Sequence, residues 1–304
     1  MRFVTATALA ILVAGPAMAA DWRDDYQVVK FGILSGENEK DRLARNEPLR
    51  AHLEKELGVK VEIFTAGNYD GVIQAIAADQ IEVARFGSSS YAAVYTATDG
   101  GVVPTLTSIK KDGNTGYHSI VVTRCDSGIK SLEDDKGKIH AFADPDSTSG
   151  YAVPYYNFVK MGIDPTTYFS AIPFGGSHEA DVTGVVNGTF DTASTWQNND
   201  DDGIPQRMVE KGMIPVGVIC KIWESPEITT GPWTFRKNLP AEMIEEITVA
   251  LETFATADPE GWKVYNSIED SDANPPVGFS RVDHDRYQWI VDMREWLKQQ
   301  RRSG

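Results

Sequence analysis

The sequence lacks a long apolar run outside its N-terminus. No later stretch approaches the about 20 apolar residues that a membrane-spanning helix needs. At the N-terminus, Met1 and Arg2 precede an apolar run over residues 3–14, and Ala17-Met18-Ala19 supplies small residues at the usual spacing of a cleavage site. We therefore predict a signal peptide over residues 1–20 and a mature chain that is soluble in the periplasm.

Positive charge is also scarce. The chain has 29 Lys and Arg against 44 Asp and Glu, which gives a formal net charge of -15. Binding of nucleic acid usually needs clustered Lys and Arg, so this balance argues against it. A small anion is not excluded, because backbone N–H groups and helix dipoles form local anion sites whatever the sign of the whole chain.

Cysteine and histidine are too few and too scattered to form a structural metal site. The sequence has no Cys-x-x-Cys motif and no pair of its five histidines at ligand spacing, and we expect neither a metal nor a cofactor. In an exported chain, Cys125 and Cys220 have access to an oxidising compartment. Each follows a strand-like run, over residues 119–123 and 214–219. If these strands are neighbours the thiols pair, and otherwise they remain buried and free; both alternatives stay open.

The pattern of the remaining residues predicts an α/β fold with two lobes. Roughly 285 residues follow the predicted signal peptide, more than one compact core usually holds. An apolar strand over residues 28–34 precedes an amphipathic helix through Leu49, Leu53 and Leu57, and a second strand covers residues 59–65. Such alternation is typical of a mostly parallel sheet covered by helices, whose ligands bind at the carboxyl ends of the strands.

One unit of helix, turn and strand occurs twice. A helix over residues 71–78 precedes a strand over 81–86, and a helix over 179–186 precedes a strand over 190–194. The two strands carry a carboxylate at similar places, Glu82 and Asp191. We interpret the units as equivalent parts of two lobes, the second inserted into the first.

Pro and Gly clusters near residues 113–116 and 230–232 indicate where the chain crosses between the lobes. We place the first lobe at residues 21–118 and 229–304, and the second lobe at residues 119–228. Two crossings favour a hinge between the lobes.

Three hydroxyl residues mark the strongest candidate site. Ser147, Thr148 and Ser149 follow a predicted strand over residues 139–143 and open a helical run that ends near Gly162. Hydroxyls and free N–H groups at such a helix N-terminus can surround one tetrahedral oxyanion. The alternative is an ordinary helix cap, which needs only one Ser or Thr.

Three further side chains extend this candidate site. His178 stands in the first turn of another helix, Tyr69 occupies the corresponding turn of the first lobe, and Tyr117 lies near a predicted crossing. Phenol hydroxyls and an imidazole can donate hydrogen bonds to an anion. On spacing alone, structural roles for His178 and the tyrosines remain the alternative.

Six segments of the sequence, in order along the chain, carry a resemblance to a known family. They are Gly67-Asn68-Tyr69, Gly116-Tyr117, the run DPDSTSG over residues 144–150, His178-Glu179-Ala180, Asn187-Gly188 and Ser225-Pro226. Together they resemble the periplasmic phosphonate-binding proteins of ABC importers. The resemblance implies a type II periplasmic-binding fold that clamps a ligand between its lobes, with a membrane permease and an ATPase as transport partners. It also implies that Tyr69, Ser147, Thr148, Ser149 and His178 hold the phosphonate oxygens, and that Tyr117 lines the cleft.

The sequence departs from that family at two places. Family members that bind 2-aminoethylphosphonate share two carboxylates that hold its ammonium group. By this resemblance, Asn198 and Gly231 stand at the matching positions of this chain. We therefore expect a neutral distal end of the pocket, with Trp196 and Trp233 near it. Such an end suits an apolar, quaternary-ammonium or very small ligand. Two alternatives remain: core packing of the tryptophans, and substitute carboxylates from Asp200, Asp201 or Glu227.

The main function from another class is an exported hydrolase that acts on phosphonates or phosphate esters. The sequence lacks Gly-x-Ser-x-Gly and pairs His178 with no evident nucleophile, which argues against it. The run Ser88-Ser89-Ser90 is better explained as a helix-capping turn that faces the cleft. A third alternative is a sensory binding module for the same ligands.

Overall fold

A computed structural model describes residues 21–268 and 272–303. The predicted signal peptide lies outside these residues. Within them, none of the helices combines the length and the apolar character needed to cross a membrane.

Strands and helices alternate along the chain. The strands are β1 (Val28–Ile33), β2 (Lys60–Thr65), β3 (Val83–Arg85), β4 (Val102–Lys110), β5 (Gly116–Arg124), β6 (His140–Ala141), β7 (Thr192–Asn199), β8 (Asp202–Gly203), β9 (Ile219–Glu224), β10 (Ile228–Thr229), β11 (Trp233–Arg236) and β12 (Pro276–Arg281). The α-helices are α1 (Glu39–Leu57), α2 (Tyr69–Ala77), α3 (Ser88–Ala97), α4 (Val153–Lys160), α5 (Pro165–Tyr168), α6 (His178–Val186), α7 (Ile204–Glu210), α8 (Ala241–Ala257), α9 (Pro259–Asn266) and α10 (Gln288–Ser303).

The strands form two sheets, one in each lobe. The first has the order β12-β4-β11-β3-β1-β2, and the second has the order β10-β5-β7-β6, with β8 beside β7 and β9 beside β5. The chain passes to the second sheet between β4 and β5 and returns between β10 and β11. The predicted α/β fold with two lobes is thus confirmed. The exact division at residues 118 and 228 stays a prediction, although β5 already begins at Gly116.

The expectation of mostly parallel sheets is wrong in detail. In the first sheet β1 is parallel to β2 and β3, but β11 and β12 are antiparallel to their neighbours. Among the strands described in the second sheet, β6 and β7 form the one parallel pair, and the other pairs are antiparallel. The connections between the lobes explain part of this, because residues 111–115 and 230–232 are too short to hold the helical crossover that a parallel pair requires.

Helix α1 shows how the sequence pattern fixes a local element. Leu49, Leu53 and Leu57 recur along one face and are buried in the core of the first lobe. The helix ends where Gly58 adopts a left-handed conformation with φ of 66°. A side chain would be strained there, so glycine is a natural helix terminator.

The two carboxylates of the internal repeat have the same structural role. Glu82 accepts a hydrogen bond from the backbone N–H of Lys30 at 2.8 Å, and Asp191 accepts one from Ile139 at 2.8 Å. Each carboxylate thus ties the segment before its strand to a neighbouring segment of the same lobe. The predicted strand over residues 190–194 actually runs to Asn199, because β7 continues along β5.

The two cysteines form a disulfide. Strand β9 lies beside β5, and Cys125 and Cys220 are joined with an S–S distance of 2.08 Å. The predicted strand over residues 214–219 is wrong: Cys220 lies within β9, which begins at Ile219. Pro215 and the left-handed Gly217 (φ 75°) explain why the preceding residues form a turn instead.

Candidate functional site

A cavity of about 270 Å³ lies between the two lobes. It is bordered by the ends of β1, β3 and β4 in the first lobe and by β7 and the segment before α4 in the second. All eight residues that the sequence singles out as candidate ligands line it: Tyr69, Tyr117, Ser147, Thr148, Ser149, His178, Trp196 and Asn198. The fold therefore brings together residues that are distant in sequence.

The three hydroxyl residues occupy a tight helical turn. Ser147 is the N-cap of a π-helical turn, Thr148–Ala152, which leads directly into α4. Its Oγ accepts a hydrogen bond from the backbone N–H of Gly150 at 3.0 Å. Because Oγ serves as the acceptor in this cap, its hydroxyl hydrogen remains available to a ligand. Ser147, Thr148 and Ser149 are each at most 3% exposed, so their donors face a largely desolvated space.

Thr148 also connects this turn to the first lobe. Its Oγ1 accepts a hydrogen bond from the backbone N–H of Ser89, at the start of α3, at 2.8 Å. The approach is close: a Cβ at Gly87 would lie 2.9 Å from Thr148 Oγ1. The start of α3 thus contacts the second lobe, and Gly87 before it lines the cavity, whereas Ser88, Ser89 and Ser90 are not among the described lining residues.

Two tyrosines add neutral donors from either side of the cleft. The side chain of Tyr69 interacts with Ser147, and that of Tyr117 interacts with Thr148 and Ser149. Burial raises the pKa of Tyr69 well above its usual range and raises that of Tyr117 to about 12. Both phenols therefore keep their protons and can donate hydrogen bonds.

His178 begins α6, whose N-cap is Ser177. Its Nε2 lies 3.4 Å from Ser147 Oγ, and its Nδ1 lies 3.1 Å from Thr195 Oγ1. Burial lowers the pKa of His178 to about 4, against a weaker opposite effect of Glu37. The imidazole is thus neutral near pH 7 and can donate through only one nitrogen.

Basic residues also line the cavity, two of them beside the predicted distal residues, so the expectation of a neutral distal end is wrong: Lys110 contacts Asn198 and Arg207 lies over Trp196. Arg45, Arg85, Lys110 and Arg207 all line the cavity. We call this set the basic end, and we call the set Tyr69, Tyr117, Ser147, Thr148, Ser149 and His178 the hydroxyl end. The basic residues come from four separate elements, and no motif in the sequence links them. Arg85 alone carried a signal, since it lies at the carboxyl end of a strand, where ligands bind.

Two of the four cations are neutralised by carboxylates. Arg45 donates two hydrogen bonds to Glu37 at 2.9 and 3.1 Å, and Arg207 donates two to Asp202 at 2.8 and 3.4 Å. Burial alone would raise the pKa of Glu37, but the charges of Arg45 and Arg207 outweigh it and lower this pKa to about 2. Both pairs are therefore fixed ion pairs in the wall of the cavity.

Arg85 and Lys110 have neutral partners instead. Arg85 donates to the hydroxyl of Tyr265 at 2.7 Å and to that of Ser108 at 3.0 Å. Lys110 donates to the backbone carbonyl of Asn198 at 3.3 Å. Among the residues that the structure describes, neither cation has a carboxylate within ion-pair distance.

The two positions without the expected carboxylates lie at the cavity. Asn198 donates through Nδ2 to Asp202 at 2.6 Å. A Cβ at Gly231 would lie 2.1 Å from the carbonyl oxygen of Phe86, so the backbone leaves no room for a side chain there. Asp200, Asp201 and Glu227 are not among the described residues that line the cavity.

The two tryptophans have different roles. Trp196 lines the cavity, and the guanidinium of Arg207 lies 4.7 Å from the centroid of its ring. The prediction that Trp233 lies near the cleft is wrong, because this side chain is 1% exposed and packs edge-on against Phe31 in the core. Its place in β11, in the middle of the first sheet, explains that burial.

Two lobes that enclose a cavity lined by polar donors define the class of periplasmic solute-binding proteins. Residues 31–287 match the model of a family described as ABC transporter, phosphonate, periplasmic substrate-binding protein. The chain belongs to this family, and the predicted resemblance is confirmed.

Individual relatives agree with this assignment. The chain is 31% identical over 247 residues to the phosphonates-binding periplasmic protein of Escherichia coli, covering 79% of this chain and 68% of the relative. It is 28% identical over 262 residues to the phosphate-import protein PhnD of Mycolicibacterium smegmatis, covering 81% and 79%. A crystal structure of the binding component of a phosphonate ABC transporter from Pseudomonas aeruginosa is also similar, with a TM-score of 0.76 at 28% identity over 90% of this chain and 86% of that one.

Proposed function

We propose that the cavity binds a phosphonate, with the phosphonyl oxygens at the hydroxyl end, for delivery to an ABC importer. The observation that carries this assignment is the convergence of buried, uncharged donors on one small space. Three side-chain hydroxyls come from one turn, and two phenols and an imidazole come from three other elements. A tetrahedral oxyanion offers three oxygens that such a set can surround from several directions.

Neutral donors are suited to a ligand that must be released again. Hydrogen bonds to a charged oxygen are roughly twice as strong as those between neutral groups. The desolvated position of Ser147, Thr148 and Ser149 strengthens them further. Because none of these donors carries a formal charge, the hydroxyl end binds the phosphonyl group through dipoles rather than through an ion pair.

Contacts between the lobes indicate how the ligand is enclosed. His178 donates its backbone N–H to the carbonyl of Gly36 at 3.0 Å, and Asn38 donates its N–H to Glu179 at 2.7 Å. Lys211 lies 2.8 Å from Glu179 and 3.1 Å from Asp41. We infer that an open form binds the anion to one lobe and that the lobes then close, with the bending at residues 111–115 and 230–232.

The compartment and the absence of catalysis are parts of the same proposal. Residues 1–20 direct the chain across the inner membrane, and the mature protein carries its ligand through the periplasm to a permease. No bond of the ligand is broken on the way. Membership of a periplasmic substrate-binding family supports both points.

Calorimetric titration of the purified protein with methylphosphonate, 2-aminoethylphosphonate, phosphite and phosphate tests this function. We expect saturable binding of at least one phosphonate with one site per chain. A parallel assay for release of phosphate distinguishes a hydrolase. Lack of binding by every phosphonate, or continued product release, would overturn the proposal.

A further inference from the structure

The basic end of the cavity holds two cations, Arg85 and Lys110, that have no described carboxylate within ion-pair distance. The carboxylates of Asp112 and Asp202 act on Lys110 only from farther away. Lys110 is 8% exposed, and Arg85 is partly buried against Tyr265 and Ser108. A buried charge without a counterion is costly, and proteins rarely retain one without a role. The feature is more unusual in a chain whose formal net charge is -15.

Both cations keep donors that their protein partners do not use. A guanidinium has five N–H donors and an ammonium has three. Arg85 makes two side-chain hydrogen bonds, and Lys110 makes one, long bond to a carbonyl at 3.3 Å. Both side chains line the same cavity as the hydroxyl end. Their remaining donors can therefore serve a ligand.

The surroundings select for negative charge on that part of the ligand. Glu37 carries the only carboxylate among the described residues that line the cavity, and it already binds Arg45 twice. Arg42 also lines the cavity, but it donates to the backbone carbonyls of Leu34 and Glu37 at 2.8 and 3.0 Å. An ammonium group at this end would meet several cations, whereas Glu37, the carboxylate among the described lining residues, is already paired with Arg45.

The size of the cavity also favours a ligand longer than a bare phosphonate. Its volume is about 270 Å³. Methylphosphonate has only five non-hydrogen atoms, whereas 3-phosphonopropionate has nine. The longer molecule carries an anionic group at each end. The cavity likewise has two sets of hydrogen-bond donors for anions, the hydroxyl end and the basic end.

We propose that the ligand of this cavity is a phosphonate that bears a carboxylate at its other end, and that Arg85 and Lys110 hold the carboxylate. The inference rests on the proposed function, since it places the phosphonyl group at the hydroxyl end. It adds the chemical class of the substrate. The guanidinium of Arg85 offers paired N–H donors to the planar carboxylate, and the ammonium of Lys110 supplies a second charge.

The test is a calorimetric titration of protein purified from cells that express the full chain. The ligands are methylphosphonate, ethylphosphonate, 2-aminoethylphosphonate, phosphonoacetate, 3-phosphonopropionate and methylenebisphosphonate, at one pH and one ionic strength. We expect at least one phosphonocarboxylate to bind about tenfold or more tightly than ethylphosphonate, because it adds charge-assisted hydrogen bonds. We expect 2-aminoethylphosphonate to bind more weakly than either phosphonocarboxylate.

Two variants locate the preference. Arg85→Gln and Lys110→Met remove one charge each and keep most of the side-chain volume. Each should reduce the preference for the phosphonocarboxylate by about tenfold and change the affinity for methylphosphonate by less than about threefold. Lys55→Met, at a side chain that is 79% exposed, is the matched control and should change neither value.

Each other outcome contradicts the inference in a recognisable way. Equal binding of ethylphosphonate and the phosphonocarboxylates, or preference for the amine, would overturn it while the proposed function stands. Equal losses for every ligand in both variants would assign Arg85 and Lys110 a purely structural role. Tighter binding of methylenebisphosphonate than of either phosphonocarboxylate would overturn the proposed carboxylate. It would show that the basic end binds a second phosphonyl group. If no phosphonate binds the wild-type protein, the proposed function fails as well. The wild-type titrations decide the question even if a variant does not fold.

Discussion

The two ends of the cavity offer different kinds of interaction to an anionic group: uncharged hydrogen-bond donors at one and formal positive charges at the other. In the proposed function, the hydroxyl end surrounds the anion with uncharged donors whose hydroxyls and N–H groups are held by a helical turn, as at Ser147 and Thr148. The basic end presents formal charges, two of them, on Arg85 and Lys110, without a carboxylate partner in the described residues. The first arrangement recognises a shape with three oxygens, and the second recognises the sign of a charge. The two proposals thus assign the affinity common to all phosphonates and the choice among phosphonates to separate residues.

The largest expected effect is loss of the hydroxyl end. The double variant Ser147→Ala, Thr148→Ala should weaken binding of every phosphonate by roughly 3 to 5 kcal/mol, since two hydrogen bonds to a charged group are lost. Selectivity among the phosphonates that still bind should be unchanged. Titration calorimetry with methylphosphonate and phosphonoacetate measures both quantities.

The control for that variant is Ser177→Ala. Ser177 caps α6 by accepting a hydrogen bond from Ala180 at 3.1 Å, but it is not among the described residues of the cavity wall. Its loss should cost about 1 kcal/mol of stability and leave affinity intact. If the double variant binds phosphonates with wild-type affinity, the phosphonyl group does not bind at the hydroxyl end.

Loss of the disulfide should affect stability alone. Cys125 and Cys220 are separated by 95 residues, so the bond restricts the unfolded chain strongly. The double variant Cys125→Ser, Cys220→Ser should lower the free energy of unfolding by about 4 kcal/mol. Denaturant titration measures this free energy. A reducing agent should lower the free energy of unfolding of the wild type to that of the double variant. A changed preference between the ligand classes would mean that the two ends are coupled through β5.

His178 predicts a pH dependence that originates at the hydroxyl end. In the unfolded chain its pKa returns to the usual value of 6.5, whereas burial holds it at about 4 in the folded protein. The unfolded state therefore binds a proton that the folded state refuses, and stability falls as the pH decreases from about 6.5 to 4. The loss of unfolding free energy that His178 causes between pH 6.5 and 4 reaches about 3 kcal/mol.

The measurement for His178 is the free energy of unfolding of the wild type and of His178→Gln from pH 4 to 7. We expect the difference between the two proteins to shift in favour of the variant as the pH falls. A difference that stays constant across this range would show that burial does not keep the imidazole neutral.

The smallest effect concerns Gly231, where the wall of the cavity admits no side chain. A Cβ there would overlap the backbone of Phe86 and Gly87, so Gly231→Ala should destabilise the protein by about 1 to 3 kcal/mol. Gly67→Ala is the matched control, because a Cβ at Gly67 meets nothing within 4 Å. Equal melting temperatures for the two variants would contradict the steric explanation for the missing carboxylate.

The sequence predicts the hydroxyl end far better than the basic end. Ser147, Thr148 and Ser149 are consecutive and His178 opens a helix, so local patterns reveal them. Arg85, Lys110, Arg45 and Arg207 are single charged residues on separate elements, and an isolated Arg or Lys in a sequence is most simply explained as a solvated surface residue. Only the pairing of the strands and the closeness of the lobes bring these cations to one cavity.

Strand pairing also limited two other predictions. The disulfide depends on whether β5 and β9 are neighbours, and the sequence within each strand does not encode its partner. The antiparallel strands β11 and β12 follow from where the chain returns to the first sheet, which local periodicity does not report. Element positions such as the end of α1 at Gly58 were predictable because a single residue determines them.

The most direct test of the account is a crystal structure of the protein with 3-phosphonopropionate. We predict that the phosphonyl oxygens lie within hydrogen-bond distance of Ser147, Thr148 and His178, and that the carboxylate contacts Arg85 and Lys110. A ligand bound in the reverse orientation, or a carboxylate directed away from both cations, would contradict the division of roles between the two ends of the cavity.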